Sequence, residues 1–156
     1  MHLAQINISR NKAPLDSVEM KEFTDFIAPV NKLGEDSPGF VWRLKDETSG
    51  ASSSYMETPF EVEYIVNMTV WEDIASLSNF VFGTVHSYFL KNRSKWFEKA
   101  RDIQVVMWWI PVGHIPTLEE AKQKMDYINL HGATPTAFNY KNLFDERGEP
   151  VKKIIQ

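Results

Sequence analysis

The sequence predicts one α+β domain in which strands and helices follow the order β-α-β-β-α-β, with a further helix added towards the C-terminal end. Three observations predict it. Segments beginning at Leu3, Phe40 and Tyr64 alternate apolar and polar residues with the period of a half-buried strand. Stretches between and after them repeat apolar residues at helical spacing. A final run from Gln104 to Val112, dense in Val, Met, Trp and Ile, reads as a strand buried on both faces.

Taken in order, Ala4, Ile6 and Ile8 of the first strand oppose Gln5, Asn7 and Ser9. Asp16 and Glu19 have capping-box spacing ahead of Phe23, Phe26, Ile27, Val30 and Leu33, so a helix is expected there, kinked by Pro29. Ser37-Pro38-Gly39 signals a turn, after which Phe40, Trp42 and Leu44 are expected on one face and Val41, Arg43 and Lys45 on the other. Residues 46–61 are rich in Ser, Thr and acids and read as a mobile loop. Tyr64 to Trp71 alternates as the third strand. Glu72 and Asp73 start a short helix that Gly83 ends, and a second helical stretch is expected from about Val85 to Lys99. After the fourth strand, Thr117 with Glu120 forms a second capping box, and Leu118, Ala121, Met125 and Ile128 make one stripe closed by Gly132. This order is that of a ferredoxin-like domain over residues 1–144, with Phe138, Tyr140 and Phe144 docking on the body and 145–156 left as a flexible C-terminal tail.

Composition narrows the function classes. With 156 residues, 43% of them hydrophobic, the chain can bury a sizeable core, and a net charge of −4 leaves no basic footprint for nucleic acid. The absence of cysteine excludes thiol nucleophiles and cysteine metal sites and fits a cytoplasmic location. No apolar run approaches the roughly twenty residues that cross a bilayer, so no membrane partner is expected. Adjacent Trp108 and Trp109 must point to opposite faces of the last strand, and with helices on one face alone a second subunit is expected to cover the other. A homodimer is the expectation.

The phrases Phe40-Val41-Trp42-Arg43, Asn67-Met68-Thr69-Val70-Trp71-Glu72 and Trp108-Trp109-Ile110-Pro111-Val112-Gly113-His114 resemble an uncharacterised family, the domain of unknown function catalogued as 3291, from Leu3 to about Phe144. That family in turn resembles the dimeric α/β-barrel superfamily, whose members include antibiotic-biosynthesis and haem-degrading monooxygenases and proteins without known catalysis. The resemblance implies a homodimer that binds a small apolar molecule, with monooxygenase-like activity. Non-catalytic ligand or haem carriage, or a structural interaction role, are its alternatives. Against the haem-degrading branch, Asn7 takes the place of an asparagine on the first strand, Phe80 falls where that branch has a tryptophan, and His86 arrives about one turn early.

The candidate site follows from polar residues in apolar company. His86, Leu90, Arg93 and Phe97 fall on one stripe of a helical wheel, beside Phe89 and Trp96. One reading makes His86 a catalytic proton-transfer group or ligand and Arg93 an anion clamp; the other has both bonding to polar groups of the sheet. Asn7, grouped with His86 as catalytic, and Asn67 lie on strands, where asparagine is depleted, and line either a pocket or a polar interface. Trp42, Trp71 and Trp108, with Phe80, either stack on a planar ligand or fill core and interface. Arg43 is expected to pair with Glu63 or another cross-strand acid. His2, His114 and His131 are explained by the terminus, a loop and a helix end, and the histidines lack metal-ligand spacing.

Overall fold

The computed structural model describes residues 1–61 and 64–152. Strands β1 (His2–Arg10), β2 (Phe40–Arg43), β3 (Tyr64–Trp71) and β4 (Val105–Ile110) form a sheet in the order β2-β3-β1-β4, with every neighbouring pair antiparallel. Helix α1 (Lys21–Glu35) joins β1 to β2, and α2 (Ile74–Gly83) with α3 (His86–Lys91) joins β3 to β4. This is the ferredoxin-like arrangement. Helix α4 (Leu118–His131) follows, and short strands β5 (Leu143–Phe144) and β6 (Pro150–Val151) pair as a hairpin. Among the described residues no helix is long and apolar enough to cross a membrane.

Alternation gives the sheet two chemically different faces. On one, Ala4, Ile6, Val66, Met68, Val70 and Val106 are buried against Ala121, Met125 and Ile128 of α4. The N-cap half of the box expected at the start of α4 forms, with Thr117 Oγ1 accepting from the Glu120 amide at 3.1 Å, and Gly132 ends the helix at φ 75°. The Glu120 carboxylate does not turn back to the cap. It accepts from Trp108 Nε1 at 2.8 Å and contacts His114 Nε2 at 2.7 Å; burial opposes its charge, yet these bonds hold its pKa below the ordinary value.

Trp108 is only 1% exposed within the single chain. The sequence argument for a second subunit rested on an open face, and α4 closes that face from within, so Trp108 makes no such demand. Trp109 points the other way and donates from Nε1 to the Phe144 carbonyl at 2.9 Å. Phe138 bridges to Met107 and Leu143 is buried, so the aromatic C-terminal segment docks on the body. Residues 145–152, which composition assigns to a tail, carry β6 and a turn in which Asp145 accepts from the amides of Arg147 and Glu149 at 2.9 Å.

Three local expectations change. The Asp16–Glu19 capping box does not form: Ser17 is held in a turn by Pro14, a 3-10 turn spans Val18–Met20, and α1 then starts at Lys21 and runs unbroken through Pro29. Strict alternation fails in β2, where a bulge at Val41 puts Phe40 opposite Trp71 and Trp42 opposite Val70. Phe40 therefore changes face, and Trp42 and Leu44 pack with the α4 core. Gly39 at φ 79° sets up this entry, since a Cβ there would lie 2.1 Å from Ser76 Oγ. The 46–61 segment is folded onto β3, with Ser53 buried and Phe60 packed on the core.

Candidate functional site

The second face of the sheet is roofed by α1, α2 and α3, and the space between is hollow. A cavity of ≈ 330 Å³ lies there, floored by strand residues and roofed by apolar side chains such as Phe23, Ile27, Val30, Phe80 and Phe89. The apolar stripe of α1 borders this hollow. Its one fully buried residue is Gly34, against the Phe80 ring, and α3 has none. An amphipathic helix normally buries its stripe in close-packed core. Here the stripes line a space of the size that takes a small ligand.

The floor is polar where core would be apolar. Asn7 and Asn67 sit directly opposite each other across β1 and β3, and Gln5 sits opposite Thr69, which pairs on its other side with Arg43. Trp71 Nε1 donates to Thr69 Oγ1 at 2.9 Å, Thr69 Oγ1 donates to Gln5 Oε1 at 2.9 Å, and Gln5 Nε2 donates to Asn7 Oδ1 at 3.0 Å. Arg43 Nε donates to Glu35 Oε1 of α1 at 2.7 Å. Its Nη1 is buried with no hydrogen-bond partner. A buried donor without a partner costs about 1–3 kcal/mol, and such atoms persist where something else is to fill the need. The sequence expectation of a cross-strand acid for Arg43 is replaced by this bond to a helix; Glu63 lies outside the described residues.

His86 opens α3 and lines the cavity, its ring tilted at 47° against Phe80 with 5.2 Å between centroids. Burial lowers its pKa, and the hydrogen bond to the Val81 carbonyl only partly offsets this. A carbonyl can only accept, so the Nδ1 that contacts it at 3.3 Å carries the proton. The neutral imidazole therefore keeps its Nε2 lone pair free to act as a base or an acceptor. Arg93 Nη2 donates to Gln104 Oε1 at 2.9 Å just before β4, and Arg93 also lines the cavity.

The helix carrying these residues is shorter than the wheel implied. Asn92 turns its side chain onto the Tyr88 carbonyl at 2.8 Å, α3 ends at Lys91, and a 3-10 turn at Arg93–Lys95 leads to buried Trp96. His86, Leu90, Arg93 and Phe97 line the cavity all the same.

Of the residues singled out from sequence, Asn7, Asn67, His86, Arg93, Trp71 and Phe80 meet at the cavity. Trp42 and Trp108 do not. Both belong to the opposite face, Trp108 held by Glu120, so neither reaches a ligand in this hollow. Trp71 is itself fully buried and stacks on Phe80 at 5.2 Å, its N–H committed to Thr69. Sequence reasoning missed Gln5, Thr69 and Arg43 on the floor, although the alternation that exposed Asn7 and Asn67 also carries Gln5 and Thr69. It missed Tyr140 as well, a cavity residue whose phenol pKa burial pushes up. Among the described residues no group of three or more His, Asp or Glu is placed to hold a metal.

No curated protein matches the chain. Among solved structures it is similar to a protein of unknown function from Nitrosomonas europaea, at 12% identity and a TM-score of 0.50, over 74% of this chain and 95% of that one. It is also similar to a dabb family protein with a ferredoxin-like fold from Mesorhizobium loti, at 14% identity and a TM-score of 0.41, over 72% of this chain and all of that one (100%). A monooxygenase of Streptomyces coelicolor in complex with nanaomycin D aligns at 14% identity and a TM-score of 0.42, over 74% of this chain and 92% of that one. Identities this low speak of fold, not of function. A family model described as a domain of unknown function, DUF3291, matches residues 2–153, from β1 through the terminal hairpin, and the chain therefore belongs to that family.

Proposed function

We propose that this protein binds a compact, largely apolar molecule between its sheet and α1–α3, and acts on it as a monooxygenase-like enzyme in which His86 receives a proton. The observation that carries the reading is the ≈ 330 Å³ hollow itself, apolar above and polar below, where close-packed core would otherwise stand. Arg43 supplies the orienting contact. Its charge is already balanced by Glu35, so what its Nη1 lacks is an acceptor, and a ligand carbonyl, ether or hydroxyl oxygen fits that need better than a second carboxylate. Asn7 and Asn67 offer further amide contacts. His86, neutral and with Nε2 free, is the one group positioned to take a proton from a carbon or oxygen acid held over the floor.

Native mass spectrometry of the purified protein tests the binding step: a bound small molecule is expected, and Val30→Trp, which fills the hollow from α1, is expected to abolish it. Retention of the same molecule by Val30→Trp would place it elsewhere. Oxygen uptake with that molecule tests turnover, with His86→Gln expected to lower kcat by 10²-fold or more while leaving binding intact. Binding without turnover would instead favour carriage. Haem carriage, in which His86 Nε2 would hold the iron, predicts a shifted Soret band on titration, and a hollow at the small end of ligand cavities favours a smaller guest.

A further inference from the structure

Five of the twelve large apolar side chains exposed among the described residues lie on α1, α2 and α3, the helices that roof the hollow, or at the α2–α3 junction. They are Phe26 (42%) of α1, Phe82 (40%) at the end of α2, Val85 (45%) at the N-cap of α3, and Tyr88 (41%) and Leu90 (37%) within α3. Phe26, Phe82 and Leu90 also line the cavity, so they mark its mouth. Phe26 and Tyr88 both touch Phe89, at 5.3 and 5.2 Å between ring centroids, which joins the α1 and α3 parts of the rim. A water-soluble ligand needs no apolar doorway. An apolar ligand that leaves a lipid phase does.

The charge around the mouth says which phase. From Val85 to Asp102 the chain carries Lys91, Arg93, Lys95, Lys99 and Arg101 against Glu98 and Asp102, in a protein whose net charge is −4. Glu98 is in an ion pair with Arg10 at 3.8 Å. The acids of α1 nearest the rim are engaged too, Glu22 by the Tyr88 hydroxyl and Asp25 by Lys21 at 2.7 Å. Lys95 lies 5.7 Å above the Tyr88 ring, a cation beside an interfacial aromatic.

We propose that this mouth is a peripheral docking surface for an anionic lipid bilayer, with the apolar rim entering the headgroup boundary and the lysines meeting lipid phosphates. Contact with a bilayer surface needs no spanning helix. A second copy of the chain fits the rim less well, because a two-fold axis through it would set Lys91, Arg93 and Lys95 against the same cations.

Co-sedimentation with vesicles of phosphatidylcholine and phosphatidylglycerol, compared with vesicles of phosphatidylcholine alone, decides the matter. Binding to the mixed vesicles is expected, weakened at least ~10-fold by Lys91→Glu with Lys95→Glu and again by Val85→Ser with Leu90→Ser, all of them surface positions whose folding a thermal melt checks. Val112→Ser with Ile115→Ser, exposed apolar residues of the β4–α4 connection, is expected to leave binding unchanged. Equal binding to both vesicles, or no effect of the rim variants, would overturn the proposal. So would a concentration-dependent dimer in analytical ultracentrifugation that the rim variants dissolve. Vesicle binding does not require the cavity to be catalytic, so Val30→Trp separates the two readings by losing the ligand and keeping the vesicle.

Discussion

The two faces of this sheet are cut from the same strands and end in opposite states. On the α4 face strand and helix residues share one buried cluster, and Trp108, Met68 and Met125 leave almost no surface to water. On the other face the same alternation presents Gln5, Asn7, Asn67 and Thr69, and three helices span a void above them. One helix packed close stabilises the sheet; three helices held apart make a container. What separates the outcomes is the chemistry of alternate residues: on the open face Gln5, Asn7, Asn67 and Thr69 interrupt the apolar surface, and the roof packs only around them, as Phe80 does on Trp71. Close packing and the hollow thus lie on opposite sides of one four-stranded sheet.

Substitutions break or sharpen that contrast. The largest effect is expected on the closed face: Trp108→Ala removes a fully buried ring and one of the two side-chain partners of the Glu120 carboxylate, lowering unfolding free energy by about 3–5 kcal/mol in a guanidinium titration. A loss under ~1 kcal/mol would mean that the face is not close-packed. Next comes Arg43→Met, which leaves Glu35 half-buried without its cation and is expected to cost about 1–2 kcal/mol, most of it recovered by adding Glu35→Gln. Recovery would show that the pair serves the guest more than the fold. Val30→Ala on the open face is expected to cost less than ~1 kcal/mol, because the methyls removed already border a void. The smallest effect depends on pH. Burial depresses the folded pKa of His86 below its ordinary 6.5, so its stabilising contribution is complete above that pH and is lost as pH falls through the folded value. Wild type minus His86→Gln, measured by denaturation from neutral pH downward, should therefore decline in that window, while a difference that is flat would remove His86 from a buried setting.

What could be read from the chain was whatever is decided within a few residues. The Thr117–Glu120 cap and Gly132 stop of α4 are local hydrogen-bond chemistry, and so is the Asp73 start of α2, whose side chain accepts from the Ser76 amide at 2.7 Å. The candidate site was half legible for the same reason. Asn7 and Asn67 stood out on strands, and His86 and Arg93 stood out among apolar neighbours. What escaped was settled between distant segments. The bulge at Val41 depends on how β2 pairs with β3, and it moved Phe40 from one face to the other while leaving Trp42 in the core. An apolar stripe on α4 says that the helix packs, not which face receives it. Arg43 reads as a strand cation, and only the approach of α1 shows that its partner is Glu35.

Trp71 has a consequence beyond filling space. An indole N–H can donate and never accept, so it fixes the Thr69 hydroxyl as its acceptor and leaves that hydroxyl's one proton for Gln5 Oε1. The Gln5 amide is thereby turned with its nitrogen towards Asn7, and Asn7 with its oxygen towards Gln5. Two amides that could each face either way are set by one residue that cannot. The polarity of the floor is inherited from the core, and it leaves the Asn7 amino group as the spare hydrogen-bond donor at the end of the row. A guest would be told, by a tryptophan whose N–H it never meets, to arrive oxygen first.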